Sequence, residues 1–135
     1  MLKKAHIETL LVSHTENGED RITTQSQGAC IVEETGIMLR YAEPENQGSA
    51  MLMLTDGLAD LKRNGQVRSR MTFIEGRLLP CPYTAQEGTF DFSLFTHSQS
   101  FIINAKGGRF QARYTLLAAG RQVADNVLTI EWHFN

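Results

Sequence analysis

The sequence predicts an all-β fold, a single antiparallel up-and-down β-barrel of roughly eight to ten strands. Apolar and polar residues alternate in four segments between residues 67 and 134, and a glycine-containing turn separates each segment from the next. No segment shows three to four turns of helical amphipathicity. Period-two alternation indicates strands with one buried face, and a closed barrel hides the edges of such strands most completely. A β-sandwich is the alternative architecture. The four apolar faces are Val67, Met71 and Phe73; Phe90, Phe92 and Leu94; Phe110, Ala112, Tyr114 and Leu116; and Leu128, Ile130, Trp132 and Phe134.

The first third of the chain predicts three strands. Residues 6–13 alternate as a strand, and Asn17-Gly18 supplies the positive φ angles of a tight reversal. A long extended segment follows over residues 21–33, where Gly28 indicates a bulge or bend. After a further reversal at Gly36, residues 37–42 predict the third strand.

The middle of the chain predicts a surface loop and two more strands. The acidic stretch 43–48 has the composition of a loop, and residues 51–54 and 58–63 have the composition of strands. Asn64-Gly65 predicts a two-residue hairpin turn.

One long irregular connection is expected between Gly76 and Gly88. It contains Pro80, Pro82 and Tyr83, and its length exceeds that of an ordinary hairpin loop. We therefore expect this loop to cover an end of the barrel, and any ligand to reach the interior beside it.

Composition limits the classes of function. The 135 residues form one domain, 1–135, and the formal charge of −2 argues against a nucleic-acid partner. The basic start of the chain is followed by no apolar run, so we expect no signal peptide, no membrane partner and a cytoplasmic location. Cys30 and Cys81 lie far apart without metal-ligand spacing and are expected to be free thiols.

An ordered set of motifs carries a resemblance to a known family. The motifs are Arg63-Asn64-Gly65, Met71-x-Phe73-x-x-Gly76, the stretch from Tyr83 to Gly88, Phe90-x-Phe92-x-Leu94-x-Thr96, Tyr114-x-Leu116, Gly120 and Asn126-x-Leu128-x-Ile130, with weaker agreement at Gly28 and Tyr41-x-Glu43. In this order and spacing they resemble the bacterial YwiB-like proteins. The resemblance implies a lipocalin- or calycin-like barrel of unknown function and no known reaction. Ala85-Gln86-Glu87 departs from the Thr-Pro-Tyr that the family tends to carry there, which removes an aromatic residue from this loop.

The residues that could carry catalysis show no recognisable spacing. The four histidines form no HxH or HExxH motif, and Lys106-Gly107-Gly108-Arg109 lacks the Lys-Ser/Thr of a phosphate-binding loop. We therefore expect no catalytic residue, no metal and no cofactor.

Two arginines are candidates for an anion-binding patch. Arg68 and Arg70 share the outward face of their strand, and Asp91 lies outward on the following one. The simpler interpretation is a cross-strand ion pair with Asp91; the alternative is recognition of a carboxylate or phosphate by the two guanidinium groups.

Several polar residues fall on the inward face by alternation: Thr9, Ser69, Thr96, Tyr114 and Asn126. Such groups need hydrogen-bond partners, which an internal network or trapped water can provide. A small bound molecule is the functional alternative. The candidate ligand-binding residues are Ser69, Tyr83, Thr96, Tyr114 and Asn126.

Three functions remain open from the sequence. The leading hypothesis is a barrel that binds a small apolar ligand inside. The first alternative is a packed, non-enzymatic scaffold whose outer strands contact a protein partner or a second copy, and the many inward aromatic residues favour it. An anion-dependent enzyme is the third.

Overall fold

The computed structural model describes all residues, 1–135, and contains ten strands and one 3₁₀ turn. The strands are β1 (Leu2–Thr15), β2 (Gly18–Val32), β3 (Gly36–Glu43), β4 (Gly48–Thr55), β5 (Leu58–Asn64), β6 (Arg68–Phe73), β7 (Leu78–Ala85), β8 (Gly88–Asn104), β9 (Gly107–Ala118) and β10 (Arg121–Phe134), and the 3₁₀ turn is Pro44–Asn46. No helix has the length and apolar sequence needed to span a bilayer.

The sheet closes on itself. Every strand pairs antiparallel with the next one along the chain, and β10 returns to pair with β1. The predicted up-and-down barrel is therefore confirmed, and the sandwich alternative is wrong. Closure removes most of the free sheet edges that ten hairpin-linked strands would otherwise expose, and leaves one along the second half of β8.

The barrel interior is solid at one end. Trp132, Phe73 and Phe110 are fully buried, and the rings of Phe73 and Phe110 lie 5.8 Å apart between centroids. Gly108 lies against the indole, where a Cβ would approach Trp132 Cε2 to 2.6 Å. The alternation along β10 therefore predicted the burial of Trp132 correctly. The two cysteines are buried and unlinked, also as predicted.

The predicted loop between Gly76 and Gly88 is wrong, because it contains β7. This strand pairs with β8 along its whole length, from Leu78 opposite Phe95 to Ala85 opposite Gly88. Its ladder to β6 consists of only two residue pairs. Pro80 and Pro82 lack the N–H that a full second ladder would need, so a strand with one sparse side accommodates them.

A bulge at His97 changes the inward face of β8. Thr96 lies opposite Tyr114, but Ser98 lies opposite Arg113, so one residue is extra on the β8 side. Leu94 and Thr96 are inward before the bulge, whereas Phe101 lies opposite the buried Phe110 after it. By contrast, Gly28 forms no bulge. It pairs in register with Tyr41, and a Cβ there would collide with the backbone of β3.

The segment 43–48 is not a simple surface loop. Asn46 is buried, accepts a hydrogen bond from the Val67 N–H at 2.7 Å and donates one to the Val67 carbonyl at 3.0 Å. It thereby holds the β5–β6 connection. That connection is a three-residue loop, because Asn64 pairs with Arg68, and the predicted two-residue turn is wrong.

Candidate functional site

The end of the barrel opposite Trp132 is open and contains an apolar pocket of about 370 Å³. Strands β1, β5, β6, β7, β8 and β9 contribute to it. The lining residues are Leu11, Arg63, Ser69, Met71, Cys81, Tyr83, Phe90, Phe92, Tyr114 and Leu116. We call this cavity the mouth pocket. Seven of the lining residues belong to inward faces that alternation indicates. Cys81 and Tyr83 fall in the segment that was expected to be a loop, and Arg63 falls on no such face.

One wall of the mouth pocket is aromatic. Tyr83 on β7 packs against Phe92 with ring centroids 5.6 Å apart, and against Phe90 at 6.2 Å. Phe90 and Phe92 stack nearly parallel at 6.0 Å. Phe90 remains 41% exposed at the rim, so this wall combines a packed base with an apolar edge that is open to solvent. The β7–β8 turn, Gln86-Glu87, directly follows this wall and carries no aromatic residue.

Tyr114 forms the floor of the mouth pocket. It lies between Thr96 on β8 and Asn126 on β10, directly opposite each in the ladders. Phe73 meets its ring edge-on at 5.2 Å. Burial raises the pKa of Tyr114 to about 12, and the neighbouring Asn126 amide opposes the shift more weakly. The phenol is therefore neutral and can donate a hydrogen bond at physiological pH.

Three of the five candidate ligand-binding residues line the mouth pocket: Ser69, Tyr83 and Tyr114. The other two, Thr96 and Asn126, flank Tyr114 instead of lining the cavity. Thr96 Oγ1 and Asn126 Oδ1 are buried without a hydrogen-bond partner. Thr9, also expected inside, is hydrogen-bonded to Thr24. The expected access route also changes, because residues 78–85 form a strand of the pocket wall and not a loop above it.

Arg63 is the charged residue of the mouth pocket. Its Nε lies 3.1 Å from both carboxylate oxygens of Glu43, and Asn46 donates to the same carboxylate at 3.3 Å. The side chain of Glu43 is almost buried, whereas the side chain of Arg63 is partly exposed. The terminal guanidinium nitrogens of Arg63 form no hydrogen bond within the protein. Alternation does not identify Arg63 as a pocket residue, because its role depends on the buried end of β3.

The predicted ion pair with Asp91 is wrong. Arg70 instead binds the nearly buried Asp60 on β5, with Nη2 3.0 Å from Oδ2 and Nε 3.2 Å from Oδ1, and Thr72 donates to the same carboxylate. Asp91 lies on β8, and β7 separates it from β6. Arg68 and Arg70 are exposed on the outer surface, as expected, but Arg70 already has a carboxylate partner.

A second polar group lies outside the barrel at the β8 bulge. His97 Nε2 is 2.7 Å from Thr115 Oγ1, and Thr115 donates to Asp125 at 2.6 Å. A hydroxyl that lies between the imidazole and the carboxylate differs from a catalytic triad, in which the histidine is central. We interpret this chain as structural support for the bulge.

These features define a class of protein: a small, closed, ten-stranded β-barrel that is packed at one end and has an apolar pocket at the other. The family described as "Domain of unknown function (DUF1934)" matches residues 6–130, and the chain belongs to this family. A comparison with curated proteins finds no match.

The fold is also similar to a solved structure, described as "Crystal structure of ywiB protein from Bacillus subtilis". The TM-score is 0.88 at 17% sequence identity, and the alignment covers 99% of this chain and 93% of that chain. The YwiB-like family inferred from the sequence motifs is thereby confirmed.

Proposed function

We propose that this protein binds a small, largely apolar molecule in the mouth pocket. The observation that carries the proposal is the lining itself: eight of its ten residues are hydrophobic, around a volume of about 370 Å³. Small-molecule sites are typically concave and apolar, with a few polar groups that fix orientation. Burying the ligand would also cover Phe90 at the rim, which favours binding through the hydrophobic effect.

The polar groups of the mouth pocket suggest how such a ligand is oriented. The Tyr114 hydroxyl and the Ser69 hydroxyl can each exchange a hydrogen bond with a polar group on the ligand. Arg63 adds a cation at the rim whose charge is already largely balanced by Glu43. We therefore propose a ligand with an apolar body and one hydrogen-bonding end. This function requires neither a cofactor nor a catalytic residue.

A specific observation favours the alternative of a protein-binding scaffold. The second half of β8 pairs with β9 on one side only, because its ladder with β7 ends at Phe95. Phe101, Ile102 and Ile103 in this half are exposed. An unpaired strand edge with apolar side chains can receive a strand from a protein partner or a second copy. We keep this as the second candidate function.

The pocket is tested by titration with an environment-sensitive apolar dye and by competition with medium-chain alcohols and carboxylic acids. Ser69→Trp fills the cavity and should abolish saturable binding, whereas Thr84→Trp adds the same ring on the exposed face of β7 and should leave binding unchanged. Tyr83→Ala and Tyr114→Phe should each weaken binding several-fold. Equal binding by the Ser69→Trp and native proteins would refute the proposal.

We expect the protein to act in the cytoplasm, since both cysteines are free.

A further inference from the structure

Four potential metal ligands meet on the outer surface where β1 and β10 close the barrel. His6 and Glu8 lie two residues apart on β1, and Glu131 and His133 two residues apart on β10. In the antiparallel register His6 lies opposite His133, and Glu8 lies opposite Glu131. The period of two puts all four side chains on one face, and the register arranges them as a square of two imidazoles and two carboxylates.

We propose that this seam cluster, defined as His6, Glu8, Glu131 and His133, binds a divalent transition-metal ion such as Zn²⁺. Donor atoms of Glu8, Glu131 and His133 all lie within 4.8 Å of one another. His6 Nε2 lies 3.5 Å from Glu8 Oε1. Tetrahedral zinc ligands about 2.1 Å from the metal are about 3.4 Å from each other, so side-chain rotation alone can bring the donors into place.

Neighbouring residues orient the donors of the seam cluster. The Gln27 amide nitrogen lies 3.1 Å from His6 Nδ1 and donates to it, which leaves His6 Nε2 directed toward Glu8. Metal binding through His6 Nε2 requires the Gln27 amide to flip, so that its oxygen accepts the Nδ1 proton and fixes the tautomer with a free Nε2. Arg109 lies 3.5 Å from Glu131 Oε1, while Glu131 Oε2 lies toward His133 at 3.8 Å. Arg109 therefore contacts one oxygen of this carboxylate, and the other remains available.

The electrostatics of the seam favour a cation. Glu8 and Glu131 are directly opposite one another, an arrangement that is destabilising for like charges in a sheet. Arg109 offsets part of the charge of Glu131, and a bound divalent ion would neutralise the two facing carboxylates more completely. Two imidazole nitrogens and two carboxylate oxygens suit Zn²⁺ and related metals, whereas Ca²⁺ and Mg²⁺ prefer sites made of oxygen alone.

A metal at this position would join the two strands whose pairing closes the barrel. All other strand pairs are also connected by a short turn, but β1 and β10 meet only through the sheet. An ion that binds the folded barrel and not the unfolded chain raises stability by mass action. The site is on the outer surface and does not depend on the mouth pocket.

The test is calorimetric titration of the protein, without an affinity tag, with Zn²⁺. We expect one ion per chain and a rise in Tm of about 10 °C at a zinc concentration about 100 times Kd. Titration with Co²⁺ should produce the visible absorption of a nitrogen- and oxygen-ligated site. His133→Ala and Glu8→Gln should each weaken zinc binding at least about tenfold, and Gln27→Ala about tenfold through loss of orientation.

His14→Ala is the matched control. His14 also lies beside a glutamate, Glu19, at 3.3 Å, but it belongs to no group of three or more donors close enough together to hold a metal ion. This variant should bind zinc like the native protein, and circular dichroism should show that all variants remain folded. The proposal is overturned if the native chain binds no zinc at millimolar concentration. It is also overturned if His133→Ala leaves zinc affinity unchanged, or if His14→Ala weakens it as much as His133→Ala does.

Discussion

Replacing Asn46 with alanine should destabilise the protein by about 3 kcal/mol. The side chain makes three hydrogen bonds: it accepts from the Val67 N–H at 2.7 Å and donates to the Val67 carbonyl at 3.0 Å and the Glu43 carboxylate at 3.3 Å. Each is worth about 1 kcal/mol, and more where a buried partner is left unsatisfied. Asn46 is only 4% exposed, so water cannot easily replace it.

Equilibrium unfolding in urea measures this effect as a shift of the midpoint at constant slope. Glu45→Ala, in the same 3₁₀ turn but exposed, serves as the control and should change stability by less than about 0.5 kcal/mol. Asn46→Asp keeps the acceptor for the Val67 N–H, loses both donors and places a second carboxylate beside Glu43, so it should cost at least as much as alanine. A loss below about 1 kcal/mol for Asn46→Ala would show that this residue does not hold the β5–β6 connection.

Three further predictions concern the core and the mouth pocket. Trp132→Ala should lower the free energy of unfolding in urea by about 3–5 kcal/mol, because the indole is fully buried. Tryptophan emission of the native protein should be blue-shifted and resist quenching by acrylamide, and freely quenched emission would contradict the burial. Gly108→Ala should lower the free energy of unfolding by about 1–3 kcal/mol, because its Cβ would overlap the buried indole. Gly57→Ala is the control, since it tests only the cost of a positive φ in an open turn. Equal losses for the two variants would argue against close packing at Gly108. Burial raises the pKa of Tyr114 to about 12 in the folded state, above the value near 10 in the unfolded chain. The neutral phenol therefore contributes its full share to the free energy of unfolding below about pH 10, and this share is lost as the pH rises from about 10 to 12. Tyr114→Phe should flatten that loss in urea unfolding measured across this range, and an unchanged slope would refute the assignment.

Alternation was enough to predict the closed barrel, because each strand buries one face and successive strands are joined by short turns. It also identified most of the mouth pocket, since Ser69, Tyr114 and their neighbours on the same faces occupy inward positions. It failed at β7, where Pro80 and Pro82 suggested a loop. The two prolines show in the sequence that backbone N–H donors are missing. The sequence does not show that this strand makes few hydrogen bonds on the side of β6, where the missing donors are not needed.

The features that depend on contacts between distant segments could not be predicted. Asn46 looks like an ordinary turn residue until the β5–β6 loop is placed over it. The seam cluster was missed for the same reason, because each histidine is isolated in the sequence and becomes one of a pair only through the β1–β10 register. The bulge at His97 also escaped detection, since a single extra residue leaves the composition of the strand unchanged.

The pairing of β1 with β10 has a consequence for how the chain folds. All the other pairings are between consecutive strands and can form locally, whereas this one must bring together segments from opposite ends of the sequence. We expect an open sheet to form first and to close last. Before closure, β1 and β10 are free edges that can pair with another molecule and exchange strands. Substitutions that slow this final step should therefore lower refolding yield at high protein concentration, even where equilibrium stability is unchanged.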